Sequence, residues 1–110
     1  MLELDTSFRK ENIEEPVEAS FKPAVNKTRI ESYNADMLIT ATKVYLLPSY
    51  AEDQARYNPI VYDIDEIAGC QKYGLFGFGF EMKDGSKQLF SNVGKKMREG
   101  ITAAIEARKK

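Results

Sequence analysis

A mainly β fold (α+β), with short antiparallel strands followed by a single C-terminal helix, is what the sequence predicts. From Glu31 to Asn92 the chain carries strand signals punctuated by turns and no convincing helix, whereas from Val93 to Arg108 the hydrophobic period becomes that of a helix. Six Phe and six Tyr with no Trp suit half-buried pleated surfaces. A helix placed last must cap the sheet or barrel that precedes it.

The elements follow in order. Residues 1–15 carry five acidic groups and few apolar ones, and Pro16 closes them, so a mobile leader is expected there and a folded domain over 16–110. In the next segment Val17, Ala19 and Phe21 alternate with Glu18 and Ser20, which reads as a half-buried strand stopped by Pro23. Pro23–Asn26 reads as a loop. Thr28, Ile30 and Ser32, alternating with Lys27, Arg29 and Glu31, suggest a second strand, and Asn34-Ala35-Asp36 a turn. Met37–Thr40 and Lys43–Leu47 read as a hairpin around Ala41-Thr42. Pro48 ends its second arm, because proline cannot donate to a ladder.

Ser49–Asn58 is polar and reads as a long loop. Ile60, Tyr62 and Ile64 then alternate with Val61 and Asp63, and Asp65-Glu66 breaks the run. Ile67–Tyr73 is the next strand, with Gly69 as a bulge. Gly74–Gly77 forms a loop, after which Phe78, Phe80 and Met82 share one face. Asp84-Gly85 is a strong hairpin signal, and Lys87–Phe90 returns with Leu89 inward. The helix starts near Ser91 or Asn92, either of which can cap it. Val93, Met97, Ile101, Ala104, Ile105 and Arg108 form its stripe, and Gly100 lets it approach the sheet closely.

Charge and composition limit the function. A net charge of −1 gives no global attraction to nucleic acid or membrane, so an electrostatic partner needs a local patch. With no His, the commonest acid–base group and zinc ligand is missing, and Cys70 lacks its usual general base and any partner for an internal disulfide. No enzyme activity, cofactor or metal is expected. MLELDTSFRKENIEE has no apolar h-region, and no stretch reaches the roughly 18 apolar residues of a membrane span. A cytoplasmic protein is expected, with peripheral membrane association as the remaining option.

The pattern resembles a known family. Ala35–Leu47, ADMLITATKVYLL, is similar to a strand pair of GRAM and bacterial pleckstrin-homology-like domains, with Thr40 and Thr42-Lys43-Val44-Tyr45 where that family turns between strands. Ile60–Gly69, through Tyr62, Ile64 and Ile67, resembles the following segment. Phe78–Phe90, FGFEMKDGSKQLF, resembles the family's Asp-Gly hairpin, and the terminal helix agrees in place and length. The likeness covers residues 17–109. It implies a strongly bent partial barrel of about seven strands with one open end plugged by the helix, and it brings no catalytic set. The missing Trp in that helix favours the GRAM-like or bacterial branch, where lipid binding is less dependable.

Several candidates stand beside plainer readings. Lys22, Lys27 and Arg29 resemble the basic residues that clasp lipid phosphates around the family's first hairpin loop. A solvated strand edge explains them as well, and Glu18 and Glu31 lie close by. Gly74-x-x-Gly77-x-Gly79 leads into a strand rather than a helix, so it has no dipole for a phosphate; it reads as a flexible connection whose Leu75 and Phe76 form an interaction loop if exposed. Asp63, Asp65 and Glu66 lack the further oxygens of a calcium loop and read as a strand end. Tyr73, Phe76, Phe78 and Phe80 lack interleaved cations, so core packing accounts for them better than base stacking. The leading expectation is a non-catalytic module that binds a protein partner or self-associates, an open barrel edge such as the strand ending at Pro48 accepting another strand. The alternative is a peripheral membrane module binding anionic lipid through Lys22, Lys27 and Arg29. No nucleic acid and no small-molecule substrate is expected.

Overall fold

A computed structural model describes residues 1–75 and 77–109. The strands are β1 (Leu2–Glu3), β2 (Ala19–Phe21), β3 (Ala24–Asn26), β4 (Ser32–Ile39), β5 (Lys43–Pro48), β6 (Ile60–Asp63), β7 (Ile67–Tyr73), β8 (Gly77–Met82) and β9 (Lys87–Ser91); the helices are α1 (Ala51–Arg56) and α2 (Lys95–Arg108). All pairs are antiparallel, in the order β1-β6-β5-β4-β3-β9-β8-β7, with β2 also paired to β4.

β2 and β3 are two halves of one run. β2 pairs with Met37–Ile39 and β3 with Ser32–Asn34 of the same strand. Pro23 has no N–H to give, so the run breaks at Lys22-Pro23, while the Pro23 carbonyl still accepts from the Ala35 N–H at 2.9 Å. Past the break, β3 turns to β9 and the sheet curls into a half-barrel. Counting β2 and β3 as one gives the seven strands expected, with β1 added at the edge.

The alternating inward positions make the core. Met37, Ile39, Val44, Leu46, Ile64, Ile67, Phe80 and Phe90 are fully buried, and the Phe80 ring meets Phe90 edge-on at 5.0 Å between centroids. α2 closes the open end with Ile101 and Ile105. A side chain at Gly100 would put its Cβ 2.8 Å from the Phe21 ring, which would have to shift to make room, so glycine suits this close approach. Arg108 holds the helix end through Glu18 at 2.9 Å.

Several expectations are corrected. The strand placed on Thr28, Ile30 and Ser32 lies earlier, at Ala24–Asn26, and residues 27–31 form a tight turn in which the Lys27 and Thr28 N–H groups both donate to the Glu31 carbonyl. Asn34-Ala35-Asp36 is strand, because Ala35 belongs to the buried face between Tyr33 and Met37. Ser49–Asn58, whose polarity suggests a loop, contains α1, which is mostly good helix formers (Ala, Glu, Gln, Arg) without an apolar stripe. Leu89 faces outward; Gln88 and Phe90 face inward, opposite Phe80 and Phe78. The buried Gln88 amide is satisfied by the Tyr62 hydroxyl at 2.8 Å, so the polar residue keeps the inward position. α2 starts at Lys95, not Ser91 or Asn92, since Asn92 takes a left-handed φ of 56° that ends the strand. The bulge at Gly69 and the Asp84-Gly85 hairpin lie where expected.

Residues 1–15 run over the outer face of β4–β6. β1 pairs with β6, and the Leu4 N–H donates to Pro59 at 2.8 Å. Phe8 stacks on Tyr45 at 5.7 Å, and the Glu15 carboxylate accepts from the hydroxyls of Thr42 at 2.6 Å and Thr40 at 2.8 Å. Among the described residues, no helix is long and apolar enough to cross a membrane.

Candidate interaction surfaces

The strand ending at Pro48, expected as an open edge, is interior: β5 lies between β4 and β6. The sheet ends instead at β1 and β7. β7 is seven residues long and, among the described residues, pairs with β8 alone. Its far side therefore presents unpaired N–H and C=O groups. At its N-terminal end the Lys109 ammonium donates to the Ala68 carbonyl at 2.6 Å. Gln71 and Lys72 beyond it are exposed. A cleft of about 410 Å³ separates β7 from α2, lined by Cys70, Lys72, Arg98, Thr102 and Ala103 among others.

Burial pushes the Cys70 thiol up to about 11, against a smaller opposing effect of a Thr102 hydrogen bond. At neutral pH it is a protonated small hydrophobe, unsuited to nucleophilic work.

The structure divides the predicted cationic set. Lys22 sits at the β2–β3 break, paired with Asp36 at 3.2 Å. Lys27 and Arg29 sit on the β3–β4 turn; five extended residues put Lys27 about 16 Å along the strand from Lys22. The Lys27 ammonium lies 5.8 Å and the Arg56 guanidinium 5.5 Å from the Tyr57 ring centroid. The Tyr57 hydroxyl donates to Glu31 at 2.6 Å, which raises its pKa, and Arg56 approaches the same carboxylate at 3.8 Å. Between the cations, Ile30 is 95% exposed at the tip of the turn. The alternation around Ile30 suggests a strand, and Arg56 and Tyr57 lie in a segment without periodicity.

Leu75 is 81% exposed on the β7–β8 turn, beside the start of α2; Phe76, its expected companion, lies outside the described residues. Gly79 serves packing, since a Cβ there would lie 2.3 Å from the Gln88 carbonyl oxygen. The acids of Asp63-x-Asp65-Glu66 are partly committed. Asp63 pairs with Lys43, which holds its carboxyl below the usual range, and Glu66 accepts from the N-terminal amine at 3.1 Å and from the Asp63 N–H at 3.3 Å.

A third surface went unread in the sequence. Leu38 and Leu47 point away from the core yet are buried, and with Phe21 and Met97 they line a groove of about 1120 Å³ beside α2. The runs Met37-Leu38-Ile39 and Tyr45-Leu46-Leu47, apolar on both faces of their strands, are its signal in the sequence.

No family model matches the chain, and no curated protein matches it in sequence. The fold is similar to the crystal structure of the N-terminally truncated linker-DH/PH domains of p115-RhoGEF, with TM-score 0.69 and 9% identity over 86% of this chain and 29% of that one. It is equally similar to the C-terminal domain of an unknown protein from Leishmania infantum, with TM-score 0.68 and 15% identity over 86% and 84% of the two chains. The architecture is therefore pleckstrin-homology-like. The chain spans less than a third of the p115-RhoGEF chain, and at these identities the likeness extends to fold alone.

Proposed function

We propose that this chain is a non-catalytic interaction module, of the GRAM-like or bacterial branch that the missing Trp favours, and that it takes an extended segment of a protein partner onto β7. The observation that carries this reading is the one-sided pairing of β7 beside the α2 cleft. Backbone groups along the edge supply hydrogen bonds to any extended chain, and the cleft supplies side-chain selectivity. Lys109 caps the Ala68 end, so pairing favours Cys70–Tyr73. A random-peptide display library, selected on the full chain, tests this. Selected peptides should slow amide exchange across Cys70–Tyr73, with the rest of the sheet unchanged. Protection that maps elsewhere, or no enrichment, overturns it.

A second reading rests on Ile30. An exposed apolar tip flanked by Lys27, Arg29 and Arg56 suits an anionic lipid surface, each cation near the surface contributing about 1 kcal/mol. Lys22 takes no part in that version, being paired with Asp36 and a strand's length away. Flotation with anionic vesicles that fades between about 50 and 300 mM salt, and is lost in Ile30→Asp, supports it. No flotation at low salt removes it.

A further inference from the structure

The groove beside α2 is independent of the β7 edge. Its floor is Phe21, Leu38, Leu47 and Met97, and its volume of about 1120 Å³ is that of a binding cleft rather than a packing defect. Leu38 and Leu47 lie diagonally on the outer face of neighbouring strands, with Asp36 directly across from Leu47, and Phe21 and Met97 reach the groove from the side of the core. Met97 on the α2 wall is an unbranched side chain that re-packs easily around an apolar guest.

Charge decides the guest. Lys22 is neutralised by Asp36 at 3.2 Å. Lys10, from the N-terminal segment, and Lys96, from α2, line the same groove and have no ion-pair partner among the described residues; Glu99 is the one acid left on the lining. The two unpaired cations thus border the groove from different elements, the N-terminal segment and α2. A fatty acid concentrates its charge at one end. A helix with acidic residues bordering an apolar stripe carries charge along both sides, as these walls do.

We infer that this groove binds the apolar face of an acidic amphipathic helix from a protein partner. Recognition would come from apolar anchors at i, i+3, i+4 and i+7 on the floor and carboxylates toward Lys10 and Lys96.

Two synthetic peptides of about 18 residues, long enough to hold a helix, test the inference. Both carry the same Leu stripe; one has Glu and the other Lys along its borders. Titrated into the full chain, the Glu peptide should bind and shift the amide resonances of Leu38, Leu47 and Met97. The Lys peptide should bind at least about tenfold more weakly. The double variant Lys10→Glu/Lys96→Glu changes exposed side chains only, and should reverse the preference while keeping the circular dichroism spectrum. The inference fails if neither peptide binds, if both bind alike, or if the shifts map to β7 or to the Lys27–Ile30 turn. It also fails if sedimentation shows a second copy of the chain covering these residues, or if dodecanoate shifts them and the Glu peptide does not.

Discussion

The two edges of the sheet are handled in opposite ways. At one, β6 receives β1 and the rest of the N-terminal segment, anchored at Leu4, Phe8 and Glu15. At the other, the longer β7 has, among the described residues, no strand on its outer side and is guarded by Lys72 and the Lys109 cap. Covering uses the chain's own backbone; guarding leaves the hydrogen-bonding groups in place and only restricts access to them. The difference teaches that edge length alone does not set the hazard, and that a partner can more readily reach the edge held by charges.

The largest effect should come from the core both edges share. Phe80→Ala removes a fully buried ring under β7–β9, and Leu46→Ala a fully buried side chain under β4–β6. Each should cost about 2–5 kcal/mol in urea unfolding. A single transition in both variants would make the two halves one cooperative unit, whereas loss of β7–β9 alone in Phe80→Ala would split them.

Next in size is Gly100→Leu, which drives a side chain into the Phe21 ring and should cost about 1–3 kcal/mol. Amide exchange should then rise along α2 and β2 before it rises at β1.

A smaller, pH-dependent effect separates the covered edge from the guarded one. Hydrogen bonds from Thr42 first and Thr40 second hold the Glu15 carboxyl below its usual range. Its folded-state pKa is depressed, so its contribution is complete above the unfolded value and is lost as pH falls through the folded one. Acidification through that window should speed exchange of the Leu4 amide; in Glu15→Gln the step should vanish, and the amides of β7 should not follow it in either protein. The smallest effect is that of Ile30→Asp, which should change stability by less than about 0.5 kcal/mol, because the side chain packs on nothing.

Much of the barrel was legible because it alternates. Phe78, Phe80 and Met82 announce β8, Gly69 its neighbour's bulge, and Ile101 and Ile105 the capping helix. The misreadings fall where local chemistry and tertiary packing disagree. Asn34-Ala35-Asp36 has turn residues but lies across from Pro48 and Leu47, where the ladder and the buried Ala35 dominate. Hydrophobicity points Leu89 inward, while Gln88 holds that place through Tyr62. The candidate surfaces were harder to read, since an unpaired edge and a groove belong to strand order, which no local pattern states. The Lys22–Arg29 set illustrates this: close in sequence, it is divided between the β2–β3 break and the far end of β3.

The break at Pro23 also bears on how quickly the molecule assembles. β3 must find β9 across more than half of the chain; the Ser91 hydroxyl that donates to Asn26 spans 65 residues. The β4–β5 hairpin closes locally and can form early, whereas the half-barrel is sealed only when its last strand returns to β3. Folding dominated by such distant pairings takes milliseconds to seconds, and until that step both the strand edge of β3 and the floor intended for α2 stand open to other chains.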